Sequence, residues 1–375
     1  MGFTQGQVDN CVFVKNTRKR RIFVAIYVDD VLVAAKDLSL VEEFKRKLAG
    51  EIEIRDMGEV KNFLGLQIRR GESWFSVNQE KLIADYAEKF KAVEMKEIRN
   101  LPPVESLDFG DDFLSREEAT MYRSLVGGLL YIANQTRPDA SFPVNFLSRF
   151  MQRPTRLHLR YAMKVLGYLY FTKEKKIYLG RLNDRGMEAY SDASFGNLED
   201  YRSQSGSMVT IFGSPVLWTS RKQDNVSQSS TEAEYVALLA TANEANWVKE
   251  LLIEWGWTTN RPTQIYEDNQ HVKRLAHNEQ VNTRAKYLTV KLAALHDMIK
   301  RRQIEVKYVP SQDNWADVLT KSRGSGDDRF RFKKDSALGF RNRGGGVLSY
   351  ALEFHSPKMR HTLQCLAFHP AGYID

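Results

Sequence analysis

The chain has 375 residues, with 55 Lys and Arg against 47 Asp and Glu and a formal net charge of +8. A hydrophobic share of 42%, a charged share of 27% and only 10 prolines exclude wholesale disorder, collagen-like repeats and a disulfide scaffold. Two cysteines, Cys11 and Cys365, stand far apart without metal or redox spacing, and no apolar run is long enough to span a bilayer. The expectation is an intracellular protein of two or three domains, with no membrane partner and no signal peptide. The charge surplus permits a polyanionic partner without requiring one.

In chain order, Ile22–Ala35 reads as strand, tight turn, strand, because β-branched residues flank the pair Asp29-Asp30. A short amphipathic helix follows over 39–49, carrying Leu40, Phe44 and Leu48 on one face. A strand is expected at Phe63–Ile68. Periodicity stops near Leu101-Pro102-Pro103 and Asp108–Asp112, which marks a linker. Helical patterns resume at 116–134 and 155–172. Strands are then expected at about 187–195, 205–212 and 215–220, and a long helix over about 231–255. A strand at 264–266, two helices, a strand at 304–309 and a short helix from about 314 complete a mixed-sheet α/β layer. Beyond Lys321, Gly-rich and Arg-rich sequence with few apolar clusters reads as a mostly disordered tail.

Four acids sit where elements of the second half begin or end. Asp192 lies in the first strand, Glu234 in the first turn of the long helix, Asp268 at the end of the next strand and Asp317 on the last helix. Carboxylates converging from different elements make a hard-oxygen cage suited to Mg²⁺ or Mn²⁺. Structural roles stand beside that reading. Glu232 and Glu234 both fit capping boxes, as Ser229-x-x-Glu232 and Thr231-x-x-Glu234. Asp268 fits a helix N-cap, and Asp317 fits a solvated helix position. Asp192, between Tyr190 and Phe195, needs a partner or a metal if it is buried.

The strings Tyr190-Ser191-Asp192-Ala193, Ser229–Leu238, Glu267-Asp268-Asn269-Gln270 and Ala316–Lys321 resemble the ribonuclease H domain of copia-type LTR retrotransposon Pol polyproteins. The resemblance implies a ribonuclease H fold and cleavage of the RNA strand of an RNA–DNA hybrid with two Mg²⁺ or Mn²⁺ ions. Asp192, Glu234, Asp268 and Asp317 would be the catalytic, metal-binding acids, and Glu232 the capping acid beside them. Tyr27-Val28-Asp29-Asp30 is similar to the polymerase signature of reverse transcriptases. Its neighbours Gly2–Gln5, Cys11–Lys15, Asp56-Met57-Gly58, Phe63–Leu66, Tyr122–Tyr131, Thr136–Asp139 and Trp218–Gln223 extend the copia-type likeness over about residues 2–321.

Departures from the family pattern set further expectations. Such polymerases take a third carboxylate from an earlier palm strand, and Asp9 is the only acid before Tyr27, outside that motif. Asp29 and Asp30 are therefore read as a polymerase remnant, with nucleotide addition lost by truncation unless the missing portion comes from another chain or a longer product. Where family members carry histidines, Thr283–Leu288 places Tyr287 and apolar residues, with His296 as the nearby substitute.

Arg and Lys recur through 116–173 with tyrosines among them, as a solvated helical face or a phosphate-binding groove. On the groove reading the contacts are Arg137, Arg153, Arg156, Arg160, Lys164 and, in the ribonuclease part, Lys222. The expected fold is a multidomain α/β and α+β protein. It comprises a partial reverse-transcriptase palm and thumb (1–110), a helical thumb/connection (111–183), an RNase H-like mixed-sheet α/β domain (184–322) and an unrelated tail (323–375). The function this resemblance implies is that of a retrotransposon-derived reverse transcriptase/ribonuclease H fragment, in the cytoplasm with a virus-like particle or the nucleus as alternatives; the alternative function is an inert nucleic-acid-binding relic.

Overall fold

A computed structural model describes residues 1–17, 20–101, 104, 110–196, 200–257, 261–277, 286–321 and 348–354. In chain order the elements are β1 (Thr4–Gln5), β2 (Val12–Thr17), β3 (Arg20–Tyr27), β4 (Asp30–Ala35), α1 (Leu38–Ala49), β5 (Ile54–Glu59), β6 (Asn62–Phe63), β7 (Leu66–Arg70), β8 (Trp74–Asn78) and α2 (Glu80–Lys89). Next come α3 (Arg116–Gln135), α4 (Ser141–Ser148), α5 (Arg156–Phe171), β9 (Ile177–Gly180), β10 (Met187–Ser194), β11 (Gln204–Ile211), β12 (Ser214–Lys222) and α6 (Ser230–Glu254). The remainder is β13 (Thr263–Glu267), α7 (Gln270–His277), α8 (Lys286–Lys300), β14 (Ile304–Tyr308) and β15 (Leu348–Phe354). They form two compact units, residues 1–74 with 247–258 and 341–375, and residues 75–246 with 259–340.

The first unit is built on an antiparallel sheet of order β1-β2-β3-β4-β15-β5. Val24, Val31 and Val33 alternate inward and pack with Val41 and Phe44 of α1, whose first turn is capped by the Asp37 side chain accepting from Ser39 N. Tyr27 pairs with Asp30, leaving a two-residue loop in which Val28 has φ 53°. A β-branched residue in left-handed backbone stores about 1–3 kcal/mol of strain, and here it turns the chain between the strands at Asp29. The single strand expected at Phe63–Ile68 is instead a hairpin, because Leu64 (φ 49°) and Gly65 (φ 74°) turn the chain between β6 and β7.

One stretch of the expected tail is a strand. Leu348–Phe354 pairs antiparallel with both β4 and β5, satisfying two strand edges at once. The rest of 322–375 lies outside the described residues, as do most of the expected linker and the departures at 283–285.

In the second unit, α3, α4 and α5 bury a core that includes Tyr122, Leu125, Leu129, Phe142, Leu147, Tyr161 and Leu166. Ser115 and Glu118 form a reciprocal capping box at the start of α3. These helices tie directly to a five-stranded mixed sheet of order β12-β11-β10-β13-β14. Trp218 Nε1 donates to Ala133 O at 2.9 Å, and Arg149 Nη2 donates to Gln204 Oε1 at 2.5 Å. β10 runs antiparallel to β11 and parallel to β13, and β13 runs parallel to β14. The central strand β10 therefore ends beside β13, so acids at the ends of both share one edge of the sheet. Among the described residues, no helix is long and apolar enough to cross a membrane.

Candidate metal centre

Asp192 lies on β10, buried to 1% exposure, and faces Gly206 of β11 in register. Because Gly206 has no side chain, a five-residue 3-10 helix, Trp315–Leu319, can lie against the strand. A Cβ at Gly206 would stand 2.8 Å from Ala316 O and 2.9 Å from Leu319 Cβ. Asn314 starts this helix, accepting from Ala316 N at 3.1 Å and donating from Nδ2 to Ser191 O at 2.8 Å. Trp315 stacks on Tyr190 with centroids 5.4 Å apart. Aromatic stacking and an Asn cap thus pin the short helix carrying Asp317.

Local capping chemistry releases the other acids for the site. Glu232 accepts from Gln228 N at 2.9 Å, and its own amide donates to Ser229 Oγ at 3.2 Å. The N-terminus of α6 is capped without Glu234, so the Thr231–Glu234 box is not needed. Asn269 accepts from His271 N at 2.9 Å and Val272 N at 3.3 Å. Asn269, not Asp268, is therefore the cap of α7.

Asp192, Glu234 and Asp268 come together, with one carboxylate oxygen from each lying within 4.8 Å of the others. Asp317 stands outside this trio but next to it, bridged through Lys321. Lys321 Nζ lies 3.1 Å from Asp317 Oδ1 and 3.7 Å from Asp192 Oδ2. The Thr320 hydroxyl donates to Asp192 Oδ2. Burial, with Asp317 and Asp268 adding to it, pushes the Asp192 carboxyl up to about 6, although Lys321 and Thr320 pull the other way. Burial, then Asp192 and Asp268, push Glu234 up to about 9, against Lys321 and the Ala193 amide. Burial of its ammonium opposes charge on Lys321, yet Asp192 and Asp317 hold it above the ordinary lysine value.

The donor set fits a hard divalent cation. It is all carboxylate oxygen, and Glu234 Oε2 is a buried acceptor with no hydrogen-bond partner. Close carboxylates repel one another when charged, and a dication held among them would offset that repulsion. Three acids fit one ion; Asp317, with Asp192 shared, would be the donor left for the second ion expected from the sequence, and Lys321 Nζ lies against both. Glu267 is a fifth acid that the spacing did not single out. It is fully buried, accepts from Asn269 N at 3.1 Å, and is raised well above its ordinary range by burial and by Glu234. Its only signal in the sequence was adjacency to Asp268.

The basic candidates divide. Arg137 is a correction: it is 1% exposed and cannot offer its guanidinium to phosphates. Its Nε and Nη2 each donate to Asp139 at 2.8 Å, and it also donates to Thr172 O and Oγ1. Arg156 pairs with Asp112 at 3.2 Å and Glu118 at 2.8 Å, joining the starts of α5 and α3. Arg153, Arg160 and Lys164 are exposed, Arg153 with its guanidinium 3.9 Å from the Phe113 ring centroid. Lys222 binds Asp200 at 2.6 Å and lines a cavity of about 200 Å³ that none of the four predicted acids lines. His296 Nε2 meets Leu275 O at 2.9 Å, fastening α8 to α7. The Tyr287 side chain lies outside the described residues. Asp29 and Asp30 remain at the hairpin of the first unit, and among the described residues no third acid joins them.

Comparison with known proteins places these observations. The family model described as reverse transcriptase (RNA-dependent DNA polymerase) matches residues 1–102. The retrovirus-related Pol polyprotein from transposon RE1 of Arabidopsis thaliana is 32% identical over 323 residues, covering 86% of this chain and 22% of that polyprotein. A transposon Ty5-1 protein of Saccharomyces cerevisiae is 33% identical over 252 residues, covering 65% of this chain and 80% of its own length. The chain thus spans about a fifth of the RE1 polyprotein, whose 22% it matches. Among solved structures, LC11-RNase H1 isolated from compost aligns with 36% of this chain and 94% of its own, at 16% identity and a TM-score of 0.30.

Proposed function

Because this chain belongs to the Pol polyproteins of copia-type LTR retrotransposons, we propose that its acid centre hydrolyses the RNA strand of an RNA–DNA hybrid in a divalent-cation-dependent reaction. The observation that carries this reading is the convergence of Asp192, Glu234 and Asp268 from three separate elements to within 4.8 Å. These three would hold a first Mg²⁺ or Mn²⁺, with Asp317 and Asp192 as donors toward a second. Such ions supply Lewis acidity, acidifying water and offsetting the negative charge that builds on a phosphodiester.

The chain's own groups provide orientation. Thr320 fixes one oxygen of Asp192, and the stack of Trp315 on Tyr190 fixes the helix that bears Asp317. Asn269 caps α7, so Asp268 is placed by a strand end and an adjacent helix start rather than by a free loop. Positioned carboxylates of this kind lose little freedom when a cation binds, which favours reactive geometry. Exposed Arg153, Arg160 and Lys164 supply sequence-independent attraction for nucleic-acid phosphates. Cleavage leaves a 5′-phosphate and a 3′-hydroxyl.

The test is incubation of the purified chain with a hybrid labelled on its RNA strand, in Mg²⁺ and in Mn²⁺. The expected result is RNA cleavage that is lost with EDTA and in Asp192→Asn and Asp268→Asn. Salt-sensitive hybrid binding with no cleavage in either metal defeats this proposal and identifies an inert nucleic-acid-binding relic instead.

A further inference from the structure

Lys321 stands in the gap between two of the four acids, and nothing in the ribonuclease reading so far uses it. Its ammonium lies 3.1 Å from Asp317 Oδ1 and 3.7 Å from Asp192 Oδ2, two side chains that are 2% and 1% exposed. The lysine side chain itself is 43% exposed. The ammonium is therefore held by buried carboxylates on a side chain that is partly open to water, an arrangement from which it can swing out. The backbone at this point is fixed, since the preceding Thr320 donates to Asp192 and its amide donates to Asp317 O at 3.3 Å.

We infer that Lys321 is a tethered cation occupying the space between Asp192 and Asp317, so that a second divalent ion binds there only by displacing its ammonium. The inference rests on the proposed metal centre and goes beyond it by assigning a residue that sets how many ions the centre holds. Physically, the four acids bring up to four negative charges to one edge of the sheet, and Lys321 is the ammonium that touches two of them. A dication at the trio of Asp192, Glu234 and Asp268 leaves Lys321 able to stay on Asp317. A dication between Asp192 and Asp317 cannot share that space with an ammonium 3.1 Å from one and 3.7 Å from the other. Like-charge exclusion at such a distance is worth at least about a tenfold difference in affinity even with substantial solvent screening. The centre would then cycle between a one-ion state with Lys321 docked and a two-ion state with Lys321 released toward solvent.

Calorimetric titration of the metal-free full chain with Mn²⁺, without nucleic acid, tests this. The wild type should show one stronger site and a second at least about tenfold weaker. Lys321→Met should strengthen the second site by about tenfold or more, and Lys321→Arg, which keeps the charge, should match the wild type. Circular dichroism spectra of the variants establish that they fold. If the second site of Lys321→Met binds no tighter than that of the wild type, the role of Lys321 is overturned while the metal centre stands. If Asp192→Asn leaves Mn²⁺ binding unchanged, or the wild type binds no Mn²⁺, the metal centre itself fails, and this inference fails with it.

Discussion

The Arg137–Asp139 pair provides a quantitative test of the helical layer. Arg137 is 1% exposed, with Tyr168 donating to Asp139 Oδ2 at 2.6 Å and Lys175 lying 3.4 Å from the same oxygen. Burial works against charge on Asp139, but Arg137, Lys175 and the Tyr168 hydroxyl hold its carboxyl well below the usual range. Asp139→Asn keeps the shape and removes the charge, leaving a buried guanidinium uncompensated. Breaking a buried pair in this way costs about 3–5 kcal/mol, a large part of the roughly 5–15 kcal/mol that holds a domain folded. With a urea slope of about 2 kcal/mol per molar, the unfolding midpoint should fall by about 1.5–2.5 M. The assay is urea unfolding at pH 7 followed by helical circular dichroism. Because the folded pKa is depressed, the wild-type advantage is full above about pH 4 and is lost as pH falls below it, so the two proteins should converge in acid. A midpoint for Asp139→Asn within about 0.3 M of wild type refutes the reasoning. So does an Arg137→Met variant that keeps its stability but loses hybrid affinity and about one unit of salt slope, since that would place Arg137 on phosphates.

Two further outcomes follow from the acid centre. Asp192 and Glu234 have raised folded pKa values, about 6 and about 9, so their contribution to stability is present in acid and lost as pH rises through those values. In EDTA the wild-type melting temperature should therefore fall between pH 5 and pH 9 relative to an Asp192→Asn/Glu234→Gln double variant; parallel curves would show that the carboxylates do not repel. Gly206→Ala should cost about 1–3 kcal/mol and reduce hybrid cleavage, because its Cβ would press on Ala316 O at 2.8 Å and displace the helix bearing Asp317. Urea unfolding and the cleavage assay read both effects, and an unperturbed variant would mean that the helix does not rest on the strand.

Much of the second unit was legible because its elements carry strong local signals. The period-3.6 pattern of α3 and α5, the β-rich runs of β10 to β12 and the long run of helix-forming residues in α6 are each specified by side chains close in sequence. Helix α4 was not legible, since Phe142, Pro143, Val144, Phe146 and Leu147 are all buried, and a helix covered on most sides shows no polar face. For the site, the sequence could place acids at element ends but could not decide between capping and ligation. That choice depended on single neighbouring residues: Asn269 takes the cap from Asp268, and Glu232 with Ser229 takes it from Glu234. The groove reading of Arg137 fails because it stands in the turn after α3, and its partners Asp139 and Thr172 become decisive only once the fold is closed. Lys321 and Glu267 were invisible as participants for the same reason, as their meaning lies in distances between segments.

The strand Leu348–Phe354 carries a consequence for how the protein is made. It joins Val33 to Tyr350 across a separation of roughly 300 residues, a highly non-local contact of the kind that slows folding. At ordinary synthesis rates, about 15–60 s pass between emergence of β4 and arrival of its partner strand. Through that interval the edge of the Asp29-Asp30 hairpin is available to chaperones, to nucleic acid or to the edge of another nascent chain. The order of translation, rather than the strength of the final sheet, then governs how much of the first unit reaches its native pairing.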